Sequence, residues 1–179
     1  MTPEQMKYSF CIHEAAHTVT RFFLFAEALG VVVFDNNQGG MATLAPETAK
    51  PMTNETTPTA KEHAIFQDAK TTARDLMSDA VFTAAGYVAQ NILLGDSSFS
   101  LYDDNPDARW ISGRYLACCP DATCEEVTAF LCLADIRARR VVRLYQKYIE
   151  RVALRLHQRN ILSPDEVLAA MWPDRVLLP

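Results

Sequence analysis

Cys11-Ile12-His13-Glu14-Ala15-Ala16-His17-Thr18 is the stretch from which the rest of the chain can be read. As helix it places His13 and His17 one turn apart on the same face, because side chains at i and i+4 stack along a helix. Two imidazoles so placed can grip one metal ion, and Glu14 beside them offers a carboxylate to handle a proton. The surrounding pattern supports a helix from Pro3 to about Leu29. Met6, Phe10, His13, His17 and Leu24 share a face, flanked by Ile12, Val19 and Phe23. Pro3 suits the first turn, and Gly30 is the expected stop. The histidines therefore lie on the inward stripe, where a pair of charged rings would be costly and a metal would relieve the cost.

Outward from this helix, Val31–Phe34 and Met41–Ala45 are apolar runs separated by Asp35-Asn-Asn-Gln-Gly-Gly40, which predicts a hairpin. Pro46–Thr59 is rich in Thr and Pro and reads as a mobile surface loop. Helical pattern resumes near Ala60 and runs, with a break near Thr71–Thr72, to Leu94, where Gly95 ends it. A further helix is expected from about Asp104 to Pro120. A long amphipathic helix follows from Thr123 to Arg159, with Val127, Phe130, Leu131, Ile136, Val141, Leu144, Tyr148, Val152 and Leu156 as apolar positions. Thr123/Glu126 and Ser163/Glu166 form capping boxes, the second with proline at the first helical position, and Pro173 closes the last helix. The fold class expected is mainly α (α+β): helices, one small hairpin or sheet, and a C-terminal helix pair, as a single domain over residues 1–179.

Composition narrows the function. With 49% hydrophobic residues, 179 residues can bury an adequate core. A net charge of −5 and a pI near 5.3 argue against nucleic acid. No apolar run is long enough to span a bilayer, and the N-terminus lacks the pattern of a signal peptide. Five cysteines without regular spacing suggest reduced thiols. A soluble, cytoplasmic protein is expected. Cys118, Cys119 and Cys124 lack a paired CxxC or a histidine, so they are expected to be buried small apolar residues, as is Cys11. Arg137, Arg139, Arg140 and Arg143 read as a solvated helix face that could contact a partner subunit.

His13-Glu-Ala-Ala-His17 is the HExxH pattern of zinc metalloproteases, in which the histidines bind Zn2+ and the glutamate is the general base. Such a site takes three protein ligands and leaves one position for water. The glycine and histidine of a metzincin extension are Thr20 and Phe23 here, which excludes that class. A glutamate from a following helix would have to be Glu55, which falls in the Thr/Pro loop. An aspartate could come from Asp103, Asp104 or Asp107, and His63 and His157 are further candidates.

Beyond the motif, the chain resembles the protease domain of the FtsH-type AAA zinc proteases. His13–His17 is similar to that family's HEAGH. Ala85-Gly86-Tyr87-Val88-Ala89-Gln90-Asn91-Ile92-Leu93-Leu94-Gly95-Asp96 is similar to its AGRAAEEVVFGD stretch, and Asp104-Asn-Pro-Asp-Ala108 resembles its NDxxxAT segment. Ala134–Val167 looks like its closing helix pair. The resemblance implies a helical protease domain whose third zinc ligand is Asp104. The departures are specific. Ala16 replaces the glycine of HEAGH. Gln90 and Asn91 replace two glutamates, one of which lies near the metal in the family, which affects how ligands are oriented. Arg109 stands for the threonine of NDxxxAT. No GxxxxGK[ST] loop occurs, so the resemblance does not extend to an ATPase module.

The expected function is a zinc-dependent metallopeptidase. His13, His17 and Asp104 would hold zinc and Glu14 would take a proton from the attacking water. A peptide or unfolded segment would lie along Met41, Ala42, Thr43 and Leu44 by strand pairing. Gln90 and Asn91 are candidates for the shell behind the ligands. A separate ATPase partner would be needed to feed folded substrates, and assembly as a homo-oligomer is open. The alternative is a protease-like zinc-binding or scaffolding module without turnover.

Overall fold

The computed structural model describes residues 1–34, 39–43, 46–48, 73–95 and 106–173. Among them lie five α-helices and a small three-stranded antiparallel sheet, the α+β class expected. The helices are α1 (Pro3–Phe25), α2 (Ala73–Leu94), α3 (Pro106–Cys118), α4 (Cys124–Arg159) and α5 (Pro164–Met171). The strands are β1 (Gly30–Val33), β2 (Gly40–Thr43) and β3 (Ile161–Leu162), and Pro46–Thr48 forms a 3-10 turn. No helix of the described residues is long and apolar enough to cross a membrane.

The termini of the helices follow local chemistry. Thr2, Thr123 and Ser163 each cap a helix by accepting from the backbone three residues on, while Gln5, Glu126 and Glu166 reach back to the cap nitrogen. Pro3 and Pro164 occupy the first helical position, where a missing N–H leaves no bond unmade. α1 stops earlier than Leu29. Ala26 turns left-handed at φ 55° with its N–H on the Phe22 carbonyl, and Glu27 bonds back to Arg21 at 2.6 Å. Gly30 begins β1 instead of ending the helix.

α1, α2 and α4 pack against one another as the core, with the sheet laid on α1. The contact faces are lined with small residues: Ala15 and Ala16 on α1, Ala80, Ala84, Ala85 and Ala89 on α2, and Ala134, Ala138 and Ala153 on α4. Alanines let helix axes approach closely, so the seam runs where a hydrophobicity count sees little. This overturns part of the apolar stripe expected on α4. Val152 and Leu156 are buried, but Ile136 and Leu144 are 62% and 69% exposed, and the buried arc is Ala134, Ala138, Val142, Ile149 and Leu156. Tyr87 on α2 donates to Asp135 on α4 at 3.0 Å, and Arg139 holds the other carboxylate oxygen at 2.7 Å, so the buried acid is paired.

The hairpin is present: β1 and β2 pair antiparallel with Val31 opposite Ala42 and Val33 opposite Gly40. The third strand was not expected. Ile161 and Leu162 pair with Val32 and Val31, tying the turn after α4 to the sheet centre. Among the described residues β2 is therefore an edge. Cys11 is fully buried as expected, but Cys118, Cys119 and Cys124 are exposed, because the end of α3 and the start of α4 project from the core. No disulfide joins any of the five cysteines. Residues 49–59 of the Thr/Pro loop, the helical pattern at 60–72, Leu44, Glu55, His63, Asp103 and Asp104 lie outside the described residues.

Candidate metal centre

α1 carries the motif and α2 crosses it at Gly86. A Cβ added there would lie 2.5 Å from both Cε1 and Nε2 of His13, so only glycine lets the imidazole lie flat against this helix. The histidine rings stand nearly perpendicular, with centroids 4.7 Å apart, and their Nε2 atoms approach to 3.0 Å. Each Nδ1 is engaged on the far side of its ring. His17 Nδ1 lies 2.9 Å from the Phe82 carbonyl and His13 Nδ1 lies 3.1 Å from Gln90 Oε1.

These partners assign the protons. A carbonyl oxygen can only accept, so Nδ1 of His17 carries hydrogen. Gln90 Nε2 donates to the Ser9 carbonyl at 3.3 Å and to Ser9 Oγ at 2.9 Å, which turns the amide oxygen toward His13. Nδ1 of His13 therefore donates as well. With both hydrogens on Nδ1, two Nε2 lone pairs face each other at 3.0 Å and repel. A cation against both removes the repulsion. A shared proton does so poorly, because burial and then the neighbouring His13 hold His17 down to about 3. The donor set thus fits a metal ion: neutral imidazoles offering Nε2, each with its other nitrogen bonded to an oxygen behind it.

Glu14 lies on the turn between the histidines and is buried. Its carboxyl is raised to about 7, chiefly by burial and slightly by Asp107, against the pull of His13 and of the Ala42 N–H, which donates to it. β2 runs so close that a Cβ at Gly40 would lie 2.5 Å from Glu14 Cγ. Asp107, in the first turn of α3, faces the same place. Burial raises its carboxyl, and His13 pulls it down.

The structure therefore brings together His13, Glu14, His17, Gln90 and the strand Met41–Thr43. Asn91 follows Gln90 on α2 and is half-buried, but the bond to a site histidine is made by Gln90. Among the described residues no group of three or more His, Cys, Asp and Glu side chains converges to hold a metal. Asp104, expected as the third donor, lies outside them. His157 is remote from the pair, packed edge-on against Tyr8 and 2.9 Å from Glu4. Ser9 and the Phe82 carbonyl are the contributors that sequence reading missed. Ser9 stands one turn before His13, but its partner Gln90 is far along the chain, so no local pattern points to it.

Comparison with protein-family models and with curated proteins finds no match.

Proposed function

We propose that the chain is a zinc-dependent metallopeptidase resembling the FtsH-type protease domain. The observation that carries this reading is the convergence of His13 and His17 on one point, Nε2 to Nε2 at 3.0 Å with each Nδ1 against an oxygen, and a buried carboxylate on the turn between them. His13 and His17 would hold zinc, with Asp104 as the proposed third ligand. Bound zinc would lower the pKa of a water and polarise the scissile carbonyl. Glu14 takes the water's proton and returns it to the leaving amine. Burial raises the metal-free carboxyl to about 7, and a bound cation would pull it back toward the carboxylate that takes the proton.

The Ala42 N–H keeps the carboxylate of Glu14 aimed, and the same bond ties the base to the edge strand. An extended peptide added to the outer edge of Met41–Thr43 would be led past Glu14. Extended or unfolded segments are the substrate class this favours. Five cysteines without a disulfide suit a reducing compartment such as the cytoplasm. These 179 residues hold no phosphate-binding loop, so unfolding of a folded substrate would need a separate ATPase.

A scaffolding module without turnover is the second reading, motivated by the amide at Gln90. That amide still accepts from His13, so the neutral side chain does not leave the ring unsupported. Metal analysis with Glu14→Gln separates the two. The wild type should carry one zinc and cleave a broad peptide library, while Glu14→Gln keeps zinc and loses about 100-fold or more in rate. Zinc-loaded wild type that cleaves nothing ends the peptidase reading. Absence of zinc in metal-replete protein ends both.

A further inference from the structure

We propose that Ser9 and Gln90 form a clamp that holds His13 in the tautomer able to offer Nε2, and that Gln90 is a positioning residue which glutamate does not replace without loss. The inference rests on His13 being a metal ligand. Ser9 is buried on α1, one turn before His13 and on the same face. Gln90 is buried on α2, one turn after Gly86, the position that admits the His13 ring. The imidazole is thus confined by backbone at Gly86 and steered by a side chain from the next turn of the same helix.

The direction of the clamp follows from Ser9. Its carbonyl, 3.3 Å from Gln90 Nε2, can only accept, and its hydroxyl, 2.9 Å from the same nitrogen, accepts the second amide hydrogen. A flipped amide would set oxygen against that carbonyl and lose that bond, leaving only the Ser9 hydroxyl able to reorient and donate to it. Oε1 is therefore fixed toward His13 Nδ1 at 3.1 Å, and the ring hydrogen is fixed on Nδ1. A carboxylate at position 90 would also accept from His13. Its second oxygen would then face the Ser9 carbonyl, acceptor against acceptor, with only the hydroxyl left to donate. The Ser9 backbone therefore selects an amide at a position where the resembled family has an acid.

The test uses the full chain with Gln90→Met, which keeps length and removes the bonds, Gln90→Glu, and Ser9→Ala. Zinc affinity is read by competition with a chromophoric chelator, and the His13 tautomer by long-range proton–nitrogen spectra of metal-free protein near about pH 8, above the ordinary histidine range. The expected result is zinc binding weaker by about 10- to 100-fold in Gln90→Met, a smaller loss in Gln90→Glu, and the smallest in Ser9→Ala, which keeps the carbonyl. The spectra should show hydrogen on Nδ1 in the wild type and mixed tautomers in Gln90→Met. Equal zinc affinity in Gln90→Met, or hydrogen on Nε2 of His13 in the wild type, overturns the clamp. If Gln90→Met does not fold, the order of Gln90→Glu and Ser9→Ala decides it. A wild type that takes up no zinc overturns the metal reading, while the spectra still decide the clamp.

Discussion

Substituting Gly86 with alanine should separate what the fold needs from what the site needs. The added Cβ would lie 2.5 Å from Cε1 and Nε2 of His13 and 2.7 Å from Cδ2. Ordinary carbon contacts begin near ~3.5 Å, so the ring must retreat by about 1 Å. The overlap is with the far end of a side chain, which can swing. Overpacking of about 1–3 kcal/mol is partly offset by about 1 kcal/mol of better helix propensity. Stability should therefore stay within about 2 kcal/mol of wild type. If His13 holds zinc as proposed, it does not tolerate that shift, because metal–donor distances hold to about 0.2 Å. Zinc affinity should fall by at least about 100-fold, beyond the usual effect of an outer-shell change. Gly113, inside α3, is the control: a Cβ there meets nothing within 4 Å. Gly113→Ala should bind zinc normally and gain up to about 1 kcal/mol, or a Tm rise of about 2–4 °C. Chelator competition and thermal melts read both quantities. Wild-type zinc affinity in Gly86→Ala would refute the placement of His13 against α2.

Removing Glu14 should change how the metal-free protein responds to pH. Its carboxyl is raised from 4.5 to about 7, so between these values the folded state holds a proton the unfolded chain has released, and stability falls as pH rises. Glu14→Gln lacks this loss, so its advantage over wild type should grow by on the order of 3 kcal/mol from about pH 4 to about pH 7.5 in urea melts; a constant gap would contradict the burial of Glu14. His17, held down to about 3, contributes with the opposite sign in both proteins and cancels in the difference. A thiol reagent should modify the exposed Cys118, Cys119 and Cys124 rapidly and spare Cys11, whose thiol is pushed up to about 12 by burial; mass mapping that finds Cys11 among the first labelled would contradict the core. Tyr87→Phe should cost about 1–3 kcal/mol in chemical denaturation, because Asp135 stays buried and loses a donor; a cost near zero would mean that water replaces the hydroxyl.

Much of the fold was legible in local chemistry. The capping boxes at Thr123 and Ser163, the prolines that follow or precede helix ends, and the turn residues between Val33 and Gly40 act within a few residues, and the helices and hairpin stand where they put them. Errors arose where distant chain decided. The buried arc of α4 follows Ala134 and Ala138 because alanines on α1 and α2 face them, and Ile136 and Leu144 were left outside. β3 is too short to show in a pattern, and exists because β1 offers it an edge.

At the site, spacing alone set His13 and His17 on one face of a helix and Glu14 on the turn between them, since that is the geometry of a helix whatever surrounds it. Which ring nitrogen is free is a different matter. It depends on Phe82, Gln90 and Ser9, oxygens brought in by packing across two helices. The elevation of Glu14 likewise comes from the sheet and α3 closing over it. Sequence determined the donor types and their periodicity. Tertiary structure decided their tautomers, their burial and the strand beside them, because protons and dielectric depend on neighbours far along the chain.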